Sequence, residues 1–342
     1  MDKKYYYGYS TDKARKLSSS GGIFWLLAKK VLSMDGVVFG AVYSPETKTV
    51  IYKNTEEVPL TRLMRSKYVQ ADLGTTYLLV NKYLREGRYV LFCGTPCYVA
   101  GLKKYIANID NSLFDKLLLI DFLCEGVPSK KVFIAYQNYI EKLCNDKIID
   151  VIFRSKKYGW RLHCMNIKFQ SGKEYKEIWW NDLYMCAFLK GLILNRQACY
   201  SCKFRENKEA DITLGDFWAA EKYDFNCKDN RGTSIIIVNT QKGYSFINET
   251  EYKNLKPLDS KKANLAHQDL SNVSNYIDER NAFYEDFEKG DFKNAIIKHC
   301  SFMNNLTSMK KAKLWIIHRI KIPFVNSLKY LLFRLGIIRN KF

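Results

Sequence analysis

Two short runs, Tyr89–Phe92 and Leu117–Phe122, constrain this chain more than any other feature, because they read as buried strands set among helix-like stretches. The helical segments are Ile23–Leu32, Thr75–Arg85 and Lys130–Leu143, with further strands at Gly36–Val42 and near Val50. Such alternation predicts an α/β sheet with helices against it. From Ile148 the texture changes. Ile149–Arg154, Met165–Phe169 and Tyr175–Trp179 predict an antiparallel insert, and Ile212–Leu214 and Ser234–Val238 add short strands. Beyond about Asn254 the pattern is mainly helical and polar. The expected fold is therefore α/β with α+β elements: a mixed sheet with flanking helices, an antiparallel insert and a helical C-terminal region. Three parts are expected, over 1–147, 148–300 and 301–342.

A chain of 342 residues can bury a full core. A mean hydropathy of -0.29 and only 6 Pro exclude a disordered or collagen-like polymer. No apolar run approaches the ~20 residues that span a bilayer. Met1–Lys16 is polar and tyrosine-rich, without the apolar stretch of a secretory signal. A cytoplasmic location is expected, where the 10 Cys serve as reduced thiols or metal ligands rather than disulfides.

Charge is unevenly spread. The net charge is +20, from 55 Lys and Arg against 35 Asp and Glu, which favours an anionic partner. Phe292–Phe342 holds 11 of the basic residues and no acidic one. The body is thus only mildly basic. With no nucleic-acid-binding motif in view, nucleic acid is not expected as a partner.

Four segments carry possible chemistry. Ser18-Ser19-Ser20-Gly21-Gly22 opens a helix, and small residues there offer N–H groups and a positive dipole end to a phosphate, or simply cap the helix. Phe92-Cys93-Gly94-Thr95-Pro96-Cys97 is a sharp strand-to-helix turn that places Cys97 at the carboxyl end of a sheet, where open α/β folds bind ligands. Asp121-Phe122-Leu123-Cys124-Glu125-Gly126-Val127-Pro128 likewise follows a buried strand. Cys199-Tyr200-Ser201-Cys202 is a single C-x-x-C in a loop-like stretch. A zinc ribbon wants a second such pair, a thioredoxin-like site wants an early strand before it, and a ferredoxin wants a tighter run of cysteines. What remains is a centre assembled from two sheet-end cysteines and the pair. Four thiolates suit a [4Fe–4S] cluster and also zinc.

The other cysteines, Cys144, Cys164, Cys186, Cys227 and Cys300, read as core or surface thiols. The four His form no H-E-x-x-H or similar cluster. Neither a G-x-G-x-x-G nor a Walker loop is present, so a standard Rossmann site or an NTPase is not expected.

Taken in order, SSSGGIFWLLAKKVL, RSKYVQADLG, VLFCGTPCYVAGLKKYI, DFLCEGVPSKKVF, FRSKKYGWRLH, ACYSCKF, ADITLGDFW and RGTSIIIVNT resemble the beta-subunit family of coenzyme F420-reducing hydrogenase and dehydrogenase. They run from Ser18 to Thr240, about two thirds of the chain. The resemblance implies an oxidoreductase carrying a [4Fe–4S] cluster and FAD, and it makes residues 1–147 the flavin-binding part. Bacterial relatives linked to surface polysaccharide synthesis suggest a small-molecule or lipid-linked sugar as substrate. F420 reduction, or a non-enzymatic accessory role in a polysaccharide-synthesis complex, are the competing readings.

By motif position, Cys97, Cys124, Cys199 and Cys202 are the implied cluster ligands, with Cys93 a close alternative to Cys97. The implied flavin contacts are Ser19, Ser20, Gly21 and Gly22 for the pyrophosphate, Lys67 for charge, and Gly94 with Thr95 beside the ring. Asp216 and Trp218 are placed in the same cavity. Two departures stand out. The clustered cysteines that open many relatives do not precede SSSGG here, so one cluster and a separate electron donor, a ferredoxin-like protein or reductase, are expected. Glu125 follows Cys124 where relatives show Cys-His-Gly, which changes the charge beside the cluster.

The tail reads as two short helices broken at Pro323. Leu328, Leu331, Leu332 and Leu335 form an apolar stripe, with Lys329, Arg334, Arg339 and Lys341 beside or beyond it. An acid-free, basic, apolar-faced stretch predicts peripheral attachment to an anionic membrane surface on its inner face.

Overall fold

The computed structural model describes residues 2–247, 254–260, 263 and 277–321, with 324, 328, 331 and 332 in the tail. Strands β1 (Lys4–Gly8), β2 (Val37–Ser44), β3 (Thr49–Asn54), β4 (Ala71–Asp72), β5 (Val90–Cys93), β6 (Leu117–Phe122), β10 (Ile212–Asp216), β11 (Ser234–Val238) and β12 (Leu255–Pro257) form one mixed sheet. Its order is β12-β1-β11-β10-β6-β5-β2-β3-β4. The centre, β2, β5, β6 and β10, is parallel, and antiparallel strands extend it on both sides. A second, antiparallel sheet holds β7 (Ile148–Ser155), β8 (Cys164–Phe169) and β9 (Glu174–Ile178). The mixed α/β fold expected from the sequence is present, including the insert and the helical C-terminal region.

Period-two alternation explains why the central strands are apolar throughout. Val38, Leu91, Leu118 and Ile120 face the helix Ile23–Ser33 and its buried Leu27 and Val31. Phe39, Phe92, Leu117 and Leu119 face helices Thr76–Arg85 and Pro96–Ala107 through Val80, Leu102 and Ile106. Each fully buried side chain of this kind stabilises the fold by about 1.5–3 kcal/mol. A separate core joins the small sheet to helix Lys130–Cys144 and the C-terminal helices, through Phe153, Ile167, Tyr184 and Ile296.

The main sheet draws strands from both sides of residue 147. After β6 the chain leaves through the small sheet, and β10 then returns to lie parallel to β6, Ile212 opposite Ile120. The N-terminal strand Lys4–Gly8, within the stretch read as a polar terminus, pairs antiparallel with β11. Of the thiols read as core or surface residues, Cys164, Cys186, Cys227 and Cys300 are buried and Cys144 is half-buried. No helix among the described residues is long and apolar enough to cross a membrane. Pro323 and Leu335, and the tail's Lys329, Arg334, Arg339 and Lys341, lie outside the described residues.

Candidate functional site at the carboxyl ends of the parallel strands

Strands β5, β6 and β10 end side by side at Cys93, Phe122 and Asp216. Chains leaving a parallel sheet at this edge form the crevice in which α/β folds bind ligands. After β5, the Gly94 N–H still donates to Ile120 O at 3.0 Å. A Cβ on Gly94 would stand 2.7 Å from Tyr52 Oη and 2.9 Å from Phe92 Cε1, so only glycine turns here. Thr95 takes extended geometry and Pro96 opens the helix, which puts Cys97 in its first turn. Cys97 is exposed, its Sγ 3.2 Å from Thr95 Oγ1.

After β6, Leu123 N–H donates to Leu214 O at 2.9 Å and Cys124 follows. Asn195 then ties this turn to the C-x-x-C segment. Its Nδ2 donates to Glu125 O at 3.0 Å, Arg196 N–H donates to Val127 O at 3.0 Å, and Pro128 bridges Asn195. Gly126 sits at φ +115, where a Cβ would lie 2.5 Å from Asn195 Nδ2. The turn Gln197–Cys199 carries the first cysteine of the pair, and Arg205 Nη2 donates to Cys199 O at 2.9 Å.

Cys97, Cys124 and Cys199 lie close enough to act on one another electrostatically, and Cys202 acts on Cys199. Burial pushes the Cys124 thiol up to about 12, and Cys199 and Cys97 add to the rise. Burial also raises Cys199, with Cys202 and Cys97 adding to it. Cys93 is distinct: burial takes it to about 12, and the charges that act on it are Asp121 and Lys67 rather than the other thiols. Among the described residues, no group of three or more His, Cys, Asp or Glu stands in a metal-ligating arrangement. The four thiols fit an iron–sulfur centre in chemical kind, but they are not closed around one point.

The glycine-serine loop lies on the same side of the sheet. Ser19 Oγ accepts from Ser66 N–H at 2.8 Å, which places the loop against Lys67 and Tyr68. Ser20 Oγ donates to Thr233 O at 3.0 Å, and Gly21 N–H donates to Ser234 Oγ at 3.0 Å. Gly22, at φ +88, begins the helix Ile23–Ser33. Burial lowers the Lys67 ammonium to about 7, with Arg65 adding to the effect. Its Nζ donates to Arg62 O at 3.0 Å and to Met64 O. Thus of the flavin contacts expected from motif position, Ser19 lies against the segment that carries Lys67, Ser20 and Gly21 are tied to Thr233 and Ser234, and the Lys67 charge acts on Cys93, the residue before Gly94.

Asp216 has two partners inside the protein. Arg154, almost fully buried, donates from Nη1 to Asp216 Oδ2 at 2.5 Å, and Trp160 Nε1 donates to Oδ1 at 3.2 Å. Trp160 stacks on the partly exposed Trp218 with ring centres 4.3 Å apart. Lys156, lowered to about 7 by burial and by Arg154, donates to the carbonyls of Arg15, Ser20 and Arg231. Sequence reasoning missed Asn195, Arg154 and Lys156. Arg154 and Lys156 fall within FRSKKYGWRLH, whereas nothing in the local pattern marks Asn195.

A cavity of about 670 Å³ opens beside the C-x-x-C loop, between that loop and helix Ile277–Lys289.

No curated protein matches the chain in sequence. Its fold is similar to a solved chain of the F420-reducing [NiFe] hydrogenase complex from Methanosarcina barkeri, studied by xenon derivatization. The TM-score is 0.54 at 13% identity, over 80% of this chain and 89% of that one, which is a likeness of fold alone. The family model for the C terminus of the coenzyme F420 hydrogenase/dehydrogenase beta subunit matches residues 87–261, a stretch that runs from β5 to β12 and contains all four neighbouring thiols. That family has an oxidoreductase-type, electron-transfer role. Since the match covers just over half of the sequence, this chain belongs to the coenzyme F420 hydrogenase/dehydrogenase beta-subunit family.

Proposed function

We propose that this chain is an iron–sulfur flavoprotein that takes electrons from a separate donor protein and delivers them to an organic substrate or carrier. What supports this reading is that the turns carrying Cys97 and Cys124 leave the same edge of the sheet, and that Asn195 and Arg196 tie the Cys124 turn to the segment carrying Cys199 and Cys202. These four side chains would hold one [4Fe–4S] cluster. FAD would lie along the loop Ser19–Gly22, with Lys67, Gly94, Thr95 and Asp216 around it. When bound, the two groups supply single-electron transfer and hydride transfer, respectively.

The chain's own part is positional. Asn195 holds the Cys124 turn against the C-x-x-C loop, and Arg154 holds Asp216 in place. Trp218, stacked on the buried Trp160 that donates to Asp216, gives a flat apolar surface near that carboxylate. The proposed setting is surface polysaccharide biosynthesis, with a small-molecule or lipid-linked sugar as substrate; reduction of F420 is the rival outcome. Anaerobic reconstitution with iron, sulfide and FAD tests the reading, followed by iron analysis, absorption spectroscopy and an F420-reduction assay. Bound cluster and flavin support it. A colourless, iron-free protein overturns it and favours a non-enzymatic accessory role.

A second reading concerns the tail. Ile316, Ile320, Phe324, Leu328 and Leu331, on both sides of the break expected at Pro323, are all exposed, in a stretch free of acidic residues. We infer that this face rests on an anionic bilayer, where each basic residue contributes about 1 kcal/mol. Co-sedimentation with phosphatidylglycerol vesicles, with and without residues 303–342, decides it. Equal recovery of both forms in the supernatant at low salt overturns this reading.

A further inference from the structure

The cavity beside the C-x-x-C loop has a lining that the electron-transfer reading does not use. Arg196 and Arg280 face it, together with Gln70, Ser129, Ser201 and Tyr284, and among the described residues no Asp or Glu lines it. Arg280 is already oriented. Its Nε donates to Asn195 O at 3.1 Å, its Nη1 donates to Asn281 Oδ1 at 2.8 Å, and its Cζ stands 4.3 Å from the Tyr284 ring centre. The Tyr284 hydroxyl donates to Leu194 O at 2.9 Å, so the ring that supports the guanidinium is itself anchored. Arg196 is exposed, and its backbone is fixed by the bond to Val127 O. Among the described residues, neither guanidinium has a carboxylate within ion-pair distance.

We propose that this cavity binds a small organic dianion, bearing a phosphate group or two carboxylates, between Arg196 and Arg280. Guanidinium forks recognise such groups by paired charge-assisted hydrogen bonds, and Ser129, Ser201 and the amides of Gln70 and Gln197 supply neutral partners. Its volume suits a metabolite-sized ligand. A polar lining without acid selects against apolar ligands and against cations. Ser201 and Ala198 belong to both the cavity wall and the C-x-x-C segment, so the bound anion lies against the thiol loop. The site itself consists of protein groups and needs no cluster to form.

Calorimetric titration of the full chain, with its thiols reduced and metal-free, tests the proposal with pyrophosphate and succinate as separate probes. Saturable binding of one or both is expected, and the preferred probe identifies phosphate or carboxylate as the recognised group. R196Q/R280Q should weaken binding at least tenfold, and R280K, which keeps the charge but loses the fork, should fall between. Should the double variant fail to fold, R196Q alone carries the test, because its side chain is exposed; at least a threefold loss is expected. Absence of saturable binding by either probe, or unchanged affinity in R196Q, overturns the proposal. Because no cluster is present, this result is independent of the reconstitution experiment.

Discussion

Asn195 Nδ2 donates to the carbonyl of Glu125 at 3.0 Å, so a residue beside the C-x-x-C loop fixes the turn that carries Cys124. Asn195 is fully buried, and Gly126 passes it so closely that no side chain fits between them. Asn195→Ala should cost about 1–3 kcal/mol, because the hydrogen bond from the buried Asn195 amide to the Glu125 carbonyl is lost. The same change should speed modification of Cys124 by a thiol reagent. Denaturant unfolding and mass-resolved labelling measure the two effects, and unchanged labelling would separate Asn195 from the turn.

Replacing each cysteine by serine should distinguish cluster ligands from bystanders. Iron retained after reconstitution should fall sharply in C97S, C124S, C199S and C202S. Cys93→Ser should retain it, since the charges acting on that thiol are Asp121 and Lys67. Loss of iron in C93S with retention in C97S would exchange their roles.

Arg154 and Asp216 form an ion pair that burial makes costly to break. Asp216→Asn leaves the Arg154 charge uncompensated and should destabilise the protein by about 3–5 kcal/mol. The double variant Arg154→Met, Asp216→Leu should recover part of that loss. Equal stability of D216N and the parent, read from urea midpoints, would contradict the pairing.

A buried carboxyl gives a pH signature. Asp182 accepts from the hydroxyls of Tyr136 at 2.5 Å and Tyr175 at 3.0 Å, and from Met185 N–H at 2.8 Å, yet burial raises it to about 6. The folded state therefore holds this proton more tightly than the unfolded chain, where the pKa is about 4. Its stabilising contribution is fully present below about pH 4 and is lost as pH rises through about 6. Relative to Asp182→Asn, the parent should lose up to about 3 kcal/mol between those limits. Parallel pH profiles of the two proteins would rule this out.

Local pattern was most informative where one stretch buries its own residues. Leu117–Phe122 and Ser234–Val238 are read from the sequence at the boundaries they hold in the sheet, because uninterrupted apolar runs leave little alternative. Lys4–Gly8 was hidden, since three consecutive tyrosines show no alternation and its partner β11 lies far along the chain. The neighbourhood of Cys97, Cys124, Cys199 and Cys202 was legible only as an ordered set of motifs. Spacing alone cannot reveal that β10 returns beside β6. Asn195 was invisible because a buried amide serving a distant carbonyl leaves no periodic trace.

The return of β10 to β6, and of β1 to β11, also sets the order in which the protein can be made. Tyr5, Tyr6 and Tyr7 emerge from the ribosome long before their partners, which exist only when Ser234–Val238 has been synthesised. Loop-closure entropy and late pairing make such a sheet slow to complete, and its early strands stay exposed meanwhile. The thiol-bearing turns after β5 and β6 are in place before the C-x-x-C loop arrives. The four-thiol edge therefore waits for synthesis past Cys202, and a nascent chain truncated before Cys199 holds only half of it.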